Sequence, residues 1–210
     1  MSLTPKQIPE GAIRYNTDSN KMEVWNGQKW MIVSVSSPNL DGGARGIFFG
    51  GSPSSQSYTK MNFITIPTQG DAGDFGDLST LHNQGAAAGS STRGLYAGGE
   101  NPSVTNTIEF ITFSSTGDSQ DFGDMTDQRR RMNGMGCSNQ TRALFSGGYD
   151  GSSGGTLNTI DFVTIASTGN ALDFGNLDQN IGGGPGGGAS PTRGVFSGGY
   201  NPSPALTSLN

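Results

Sequence analysis

The chain has 210 residues, of which Gly, Pro and Ser make up one third, while 31% are hydrophobic and 14% are charged. This composition excludes a coiled coil or other long-helix protein, and the low charge argues against a chain kept disordered by self-repulsion. The net charge of −5 and the lack of a dense basic stripe argue against a nucleic-acid-binding protein. We therefore expect an all-β fold.

Residues 1–43 differ in composition from the rest and are predicted to form a small β-meander. Its strands are predicted at Ala12–Tyr15, Met22–Trp25 and Lys29–Val33. Asn26-Gly27, between the last two, is a strong signal for a two-residue hairpin turn. A three-stranded piece of this size buries too little apolar surface to fold well alone, so we expect it to need partners.

Residues 44–210 contain an internal repeat. Each unit opens with an arginine, a short apolar strand and a Gly-Gly pair, as in RGIFFGG of the first unit. The arginines lie 48, 49 and 51 residues apart and are Arg45, Arg93, Arg142 and Arg193. A second block follows the first three units: MNFITIPTQGDAGDFGDLS, NTIEFITFSSTGDSQDFGDMT and NTIDFVTIASTGNALDFGNLD. A period of about 40 to 50 residues indicates a β-propeller or another repeat array.

Each unit is predicted to contain four short strands. In the second unit they are Gln84–Gly89, Gly94–Ala97, Thr107–Phe113 and Gln120–Phe122, of which the third has the clearest alternation of β-branched and aromatic residues. The first strand consists of tiny residues, which suits a crowded position near the axis of a propeller. The corresponding segments of later units are NGMGCS and the glycine-rich 182–188, which could also be a loop.

The triplet Asp-Phe-Gly closes each of the first three units, with phenylalanines at Phe75, Phe122 and Phe174. It also occurs at the metal site of protein kinases, but a kinase has one copy together with a catalytic loop that this chain lacks. We predict that the phenylalanine fills the gap between neighbouring units and that the aspartate caps a turn.

The repeated arginines allow two interpretations. They could line a surface for an anionic glycan, or each guanidinium could tie a turn to a carboxylate or carbonyl of the neighbouring unit through its fixed fork of donors. Because one arginine occurs in every unit, we favour the second interpretation. It predicts that Arg93 and Arg142 form hydrogen bonds within the repeat framework.

No catalytic, cofactor-binding or metal-binding residues are predicted. Cys137 is the only cysteine and His82 the only histidine, so no intrachain disulfide or Cys/His zinc site can form. We expect His82 on the surface or in a loop, and Cys137 buried because it takes the place of Ala88 in the second unit. The Asp-rich turns could hold Ca²⁺, but their spacing does not match an EF-hand loop, and turn formation alone explains them.

These motifs resemble known families. The arginine turn, the Gly-Gly pair and the closing aromatic residue resemble the kelch repeat, with Phe in place of the usual Trp. Over about 45–199 the paired motifs RGxFxGG and NTIxFxTIxxxGNxxDFGxL are similar to units in virion proteins of tailed phages, notably of cyanobacteria. The stretch PEGAIRYNTDSNKMEVWNGQKW resembles a module near the N-termini of phage tail-fibre and appendage proteins.

The resemblance implies a β-propeller-type array for 44–210 and a homotrimer attached to the virion for 1–43. In such a trimer Tyr15, Trp25 and Trp30 would supply aromatic surface. Asn210 comes before any fourth Asp-Phe-Gly, so the fourth unit is partial. Either the chain is truncated there, or other subunits complete the ends, or the units stack openly on a partner; we favour contact with partners.

Two classes of function follow. The first is a non-enzymatic structural protein of a phage virion: a tail fibre, baseplate or head appendage, with itself and other virion proteins as partners and a host cell-surface glycan as a further partner. The second is a carbohydrate-binding propeller module or a propeller enzyme, although the chain lacks the His ligands for the copper chemistry of some kelch-like propellers. Both would use the loops after the Gly-Gly pairs, where Tyr58, Tyr149 and Tyr200 are the aromatic candidates. No signal peptide or membrane-spanning stretch is predicted, so neither membrane insertion nor Sec secretion is expected.

Overall fold

The computed structural model describes residues 8–33, 45–51, 58–100, 102–151, 155–183, 186–200 and 206–209. The chain divides into two compact units, Met1–Asn39 and Leu40–Asn210. The predicted boundary between residues 43 and 44 lies outside the described residues. Within the described ranges all regular structure is β, in seventeen strands and five antiparallel sheets, which confirms the all-β prediction. These sheets do not close into a barrel or a ring in the part of the chain that is described.

The first unit is a three-stranded meander, as predicted. Strands β1 (Ile13–Asn16), β2 (Lys21–Trp25) and β3 (Trp30–Ile32) pair in chain order. The prediction of a two-residue turn at Asn26-Gly27 is wrong. The register pairs Trp25 with Trp30, which leaves a four-residue loop, 26–29. The Asn26 side-chain oxygen accepts the backbone N–H groups of Gln28 (3.1 Å) and Lys29 (2.8 Å), and this local capping favours the longer turn.

The second unit contains four sheets, which we number 1 to 4 in chain order. Sheet 1 contains β4 (Arg45–Phe49), β5 (Lys60–Thr65) and β6 (Gly73–Asp77); sheet 2 contains β7 (Ala86–Gly89), β8 (Arg93–Ala97), β9 (Thr107–Thr112) and β10 (Gln120–Asp124). Sheet 3 contains β11 (Gly136–Ser138), β12 (Arg142–Ser146), β13 (Leu157–Thr164) and β14 (Leu172–Ile181); sheet 4 contains β15 (Gly186–Ala189), β16 (Gly194–Gly199) and β17 (Leu206–Leu209). Every sheet is a meander, and the four strands predicted for the second repeat are present.

The small-residue strands of sheets 2, 3 and 4 pack backbone against backbone. A Cβ atom added at Gly136 of β11 would lie 2.2 Å from the carbonyl oxygen of Ala87 in β7, and one at Gly187 of β15 would lie 2.6 Å from that of Gly136. A side chain at either position would force these strands apart. The tiny residues therefore allow consecutive sheets to approach closely at their first strands, and the segment 186–189 is a strand rather than a loop.

The hydrophobic core lies between consecutive sheets. One buried cluster joins sheets 1 and 2 and includes Met61, Phe75, Tyr96 and Ile111. A larger cluster joins sheet 2 to sheets 3 and 4. Each sheet of the repeat region thus buries its apolar residues mainly on its neighbours, as expected for repeats that cannot cover their own faces.

Candidate assembly surfaces

A stack of one arginine and two phenylalanines recurs in sheets 1, 2 and 3. The guanidinium carbon lies 4.6 to 5.0 Å from the centroid of a phenylalanine ring on the next strand of the same sheet. The pairs are Arg45–Phe63, Arg93–Phe110 and Arg142–Phe162. That ring meets the Asp-Phe-Gly ring edge-on at 5.9 to 6.2 Å, in the pairs Phe63–Phe75, Phe110–Phe122 and Phe162–Phe174. The arginine and both rings of each repeat thus form one rigid packing unit.

Two of these stacks are tied to the following sheet. Arg45 Nη1 donates to the carbonyl oxygen of Phe113 in the next repeat at 2.7 Å, and Arg93 Nη1 donates to that of Ile165 at 3.0 Å. The preferred interpretation of the repeated arginines is confirmed for Arg93. The prediction is wrong for Arg142, whose side chain keeps the ring contact with Phe162 but forms no hydrogen bond among the described residues.

The Asp-Phe-Gly edge of one sheet receives the hairpin of the next. The carbonyl oxygen of Phe75 accepts the N–H of Gly117 at 2.7 Å, and that of Phe122 accepts the N–H of Gly169 at the same distance. A Cβ atom at Gly123 would lie 2.5 Å from the carbonyl oxygen of Gly169, so a side chain there would separate the two sheets. The glycine of the triplet is therefore required by the close approach of the neighbouring backbone.

The Asp-rich turns take part in the same contact. The Asp118 carboxylate accepts the backbone N–H of Asp77 at 2.9 Å, and Asn170 accepts that of Asp124 at 3.1 Å. In the third copy, Asp173 accepts the N–H of Gly175 at 2.9 Å, which is the predicted cap. Within the described residues, no three His, Cys, Asp or Glu side chains lie close enough to hold a metal ion.

The sequence analysis missed two buried carboxylates that accept hydrogen bonds across the boundaries between sheets 1 and 2 and between sheets 2 and 3. Glu109 of sheet 2 accepts the backbone N–H (3.0 Å) and hydroxyl (2.7 Å) of Ser79, and Asp161 of sheet 3 accepts the same groups of Thr126 (3.0 and 2.6 Å). Both acids are almost fully buried. Glu109 and Asp161 hold the same place in the third strand, immediately before the ring that contacts the arginine, and this shared position was the available signal.

A nitrogen-bearing side chain lies beside each buried acid. Asp161 forms a buried ion pair with Arg129, and His82 Nε2 lies 3.5 Å from Glu109. His82 lies outside the strands, which confirms the loop alternative of its prediction, whereas the surface alternative is wrong because the side chain is buried. Alignment on the Asp-Phe-Gly triplets places His82 opposite Arg129, so these two boundaries carry their nitrogen-bearing side chain at the same position.

Hydrogen bonding sets the charge state of Glu109. Burial by itself raises the pKa of this carboxyl group, but hydrogen bonds from His82, Ser119 and Ser79 outweigh it and lower the pKa to about 2. The carboxylate is therefore ionised over the ordinary pH range and acts as the fixed acceptor between sheets 1 and 2.

The last strand of sheet 3 carries the Asp-Phe-Gly triplet but has no hairpin of a following sheet packed on it within the described residues. Phe75 and Phe122 are 2% exposed, whereas Phe174 is 51% exposed and Leu172 beside it is also exposed. The prediction that the phenylalanine fills a gap between units is thus confirmed for the first two repeats and wrong for the third. No described residue occupies the place that the hairpins at Gly117 and Gly169 take at the earlier boundaries.

Cys137 is buried, as predicted, and burial raises the pKa of its thiol to about 11. A thiol with such a pKa is not ionised near neutral pH, so it does not act as a nucleophile there. Its sulfur packs against Gly194 of sheet 4, where a Cβ atom would lie 2.7 Å from it. Cys137 therefore helps to fill the boundary between sheets 3 and 4.

The N-terminal sheet has one apolar face and one more polar face, which also carries Trp25, Trp30 and Ile32. On the polar face Glu23 binds Arg14 (2.8 Å) and Asn16 (2.9 Å), and Arg14 lies over Trp30 at 4.2 Å. Hydrogen bonds from Asn16 and Arg14 lower the pKa of Glu23. The register places five side chains together on the other face: Ile13, Tyr15, Met22, Val24 and Met31.

Four of those five side chains are strongly exposed, with Val24 half-buried. Exposed apolar patches of this kind mark interaction sites in soluble proteins. Trp25 is instead buried, next to Trp30, with ring centroids 5.5 Å apart. The aromatic contribution to the apolar face therefore comes from Tyr15.

The predicted recognition loops are described in part; residues 52–57, 101, 152–154 and 201–205 lie outside the described residues. Tyr58 and Tyr200 are exposed. Tyr149 lies against the guanidinium groups of Arg130 (5.0 Å) and Arg131 (5.1 Å), so these cations compete with any sugar for its ring. An open cavity of about 500 Å³ lies between the second and third loops, and its lining includes Glu100, Gln128, Arg130 and Asp150.

No family model matches the chain, and no curated protein sequence is significantly similar to it. Within the described residues, no helix has the length and apolar character needed to cross a membrane.

Proposed function

We propose that the chain is a structural protein of a tailed-phage virion, in a tail fibre, baseplate or head appendage, and that it assembles through its sheets. The observation that carries the proposal is that the boundaries between sheets 1 and 2 and between sheets 2 and 3 repeat the same arginine, phenylalanine, hairpin and carboxylate contacts. Such contacts make a stable array in which each sheet stabilises the next one.

In this proposal the repeats are kelch-like blades of a propeller-type array. Sheets 2 and 3 are four-stranded meanders, and the first strands of sheets 2 to 4 pack closely on one another. Both features support a blade arrangement with the small-residue strands innermost. Sheets 1 and 4 have three strands each within the described residues, and their open faces are proposed to pack on partners in the particle.

The N-terminal sheet is the proposed attachment and trimerisation module. Its apolar face is a single surface on a sheet too small to bury it, and three copies packed on an axis would remove it from water. The loops after the Gly-Gly pairs are the proposed contact with a host surface. The cavity beside Glu100, Gln128 and Arg130 supports this, because it offers carboxylate, amide and guanidinium groups that can hydrogen-bond sugar hydroxyls.

Particle composition tests the structural role. Phage particles purified from a lysate should contain the chain at a fixed copy number relative to the major capsid protein, measured by quantitative mass spectrometry. Antibodies against the chain should label one defined part of the particle in electron micrographs. Absence of the chain from washed particles would overturn the proposal, and sugar-specific binding on a glycan array by a chain absent from particles would favour the carbohydrate-binding module instead.

Mass in solution tests the module. The full chain, at 21.7 kDa per copy, should sediment at three times that mass or a multiple of it. Tyr15→Glu, on the apolar face, should lower the sedimenting mass, because it removes the threefold contact. The matched control is Lys21→Glu, which places the same charge on the polar face of the same sheet and should leave the trimer intact. A parent chain that sediments at 21.7 kDa contradicts the trimer.

A further inference from the structure

The two ends of the row of sheets carry complementary parts of the contact that joins the interior sheets. We call the side of a sheet that faces the preceding sheet its front, and the other side its back. Cross-strand partners share a side, so the front is marked by the pairs Tyr96–Glu109 in sheet 2 and Phe145–Asp161 in sheet 3. The acids of both pairs bond the preceding sheet, which fixes this assignment.

The front of sheet 1 has the same layout without a neighbour. Phe48 pairs with Asn62 at the position of the two pairs above. Phe48 is 57% exposed, against 6% for Tyr96 and 0% for Phe145. Ile66 is 66% exposed, whereas Ile165, its counterpart in sheet 3, is 1% exposed.

The hairpin of sheet 1 also keeps the shape used at the internal boundaries. Gly70, Gly117 and Gly169 all have a φ of 154°, and the latter two donate their N–H groups to the preceding sheet. Among the described residues, neither the N–H of Gly70 nor the carbonyl oxygen of Ile66 has a hydrogen-bond partner. The carbonyl oxygens of Phe113 and Ile165, at the position of Ile66, accept hydrogen bonds from the arginines of the preceding sheet.

The back of sheet 4 presents the arginine and the apolar residue of the complementary set, but not the Asp-Phe-Gly carbonyl that would accept the N–H of Gly70. Arg193 holds the position of Arg45 and Arg93, and its side chain is exposed. Val195 is at the position of Ile47 and is also exposed, whereas Phe196, on the front, is buried against sheet 3. The strand β15 is exposed along its whole length.

We propose that the front of sheet 1 docks on the back of sheet 4 of a second copy of this chain, so that copies join head to tail in continuation of the internal boundary. Arg193 then donates to the carbonyl oxygen of Ile66 of the next copy, and Phe48 is covered by the strand that carries Val195. The contact uses different surfaces on the two partners, so it propagates into a ring or a filament. It deepens the proposed structural role and rests on it, but it differs from the trimer contact of the N-terminal sheet.

The test uses the full chain with Tyr15→Glu, which removes association through the N-terminal sheet. Ile66→Glu disables the front, and Arg193→Glu disables the back. Leu81→Glu is the matched control, since Leu81 is a similarly exposed apolar residue at a position that holds Gln128 in the next repeat. All three positions are exposed, so circular dichroism and thermal midpoints should stay at the parent values.

Sedimentation equilibrium should show self-association of the parent and of Leu81→Glu. Each disabling variant alone should associate about 100-fold more weakly, because the contact would bury an unpaired carboxylate. An equimolar mixture of the two disabled variants should form a dimer and nothing larger, since each supplies the one end that the other lacks. A monomeric parent, a mixture that fails to associate, or equal weakening by Leu81→Glu would overturn the proposal.

These outcomes are separate from the proposed virion role. The association is measured in solution, whereas the role is decided by the composition of particles. A chain present in particles but monomeric in this assay would retain the role and lose the head-to-tail contact.

Discussion

The Asp-Phe-Gly edges of sheets 2 and 3 have the same residues in different surroundings. Phe122 and Phe174 each meet a neighbouring phenylalanine edge-on at about 6 Å. Phe122 is buried under the hairpin of sheet 3, and its carbonyl oxygen accepts the N–H of Gly169. Phe174 has no such cover within the described residues and is half exposed.

The difference shows that the triplet is one half of a contact. Its packing inside a sheet is local and forms in both repeats, because the arginine and the two rings lie on the same sheet. Its burial depends on a hairpin that the next repeat supplies. The energetic value of the motif should therefore be large at an occupied boundary and small at an open edge.

The largest effect is expected from truncation of the buried ring. Phe122→Ala should lower the free energy of unfolding by about 4 kcal/mol, because it removes a ring from the core and leaves a cavity. Phe174→Ala is the matched control and should cost less than about 1 kcal/mol. Urea unfolding followed by far-UV circular dichroism measures the free energy of unfolding of both variants. Equal losses would contradict the difference expected between an occupied boundary and an open edge.

A second comparison contrasts the two buried acids. Arg129→Met leaves Asp161 without its cation in a site closed to water, and we expect a loss of about 3 kcal/mol, at the low end for a broken buried pair because Thr126 still donates two hydrogen bonds. His82→Gln should cost about 1 kcal/mol, since Glu109 keeps the hydrogen bonds of Ser79 and Ser119. Urea unfolding at pH 7 measures both variants. A larger loss for His82→Gln than for Arg129→Met would contradict this ranking.

Much of the fold could be predicted because it depends on local pattern. The double glycines and the alternation in TIEFITF locate the strands of sheet 2 within one or two residues. The arginines could be placed in the framework because they recur once per repeat, and Cys137 could be predicted as buried from its neighbours in a strand of tiny residues.

The polar contacts between sheets could not be predicted in the same way. Glu109 and Asp161 read as outward-facing acids in a strand, and only the position of the preceding sheet makes them buried acceptors. His82 was missed because its counterpart Arg129 differs in residue type. The turn at Asn26 was mispredicted because its side chain caps a longer loop in place of a tight hairpin. Each error concerns a polar group whose partner is distant or whose capping bond competes with a backbone turn.

The dependence of stability on pH tests the contribution of Glu109. The folded-state pKa of Glu109 is lowered from 4.5 to about 2, so its contribution is complete above pH 4.5 and is lost as the pH falls towards 2. Between pH 6 and pH 3 this group alone should remove roughly 2 kcal/mol of stability. Glu109→Gln should be less stable at pH 6 and should flatten the profile by that amount. A profile that stays parallel to the parent curve would show that Glu109 does not carry this dependence.

The smallest effect separates the arginines at the same two edges. Arg93→Met should cost about 1 kcal/mol, because it removes the hydrogen bond to Ile165 and the charge over Phe110 while it keeps the apolar stem. Arg142→Met removes only a solvated charge over Phe162 and should stay within about 0.5 kcal/mol of the parent. The difference is measured as the shift of the urea midpoint at constant slope. If Arg142→Met cost as much as Arg93→Met, the value of the arginine would lie in the ring contact within its own sheet, and the bond across the boundary would contribute nothing.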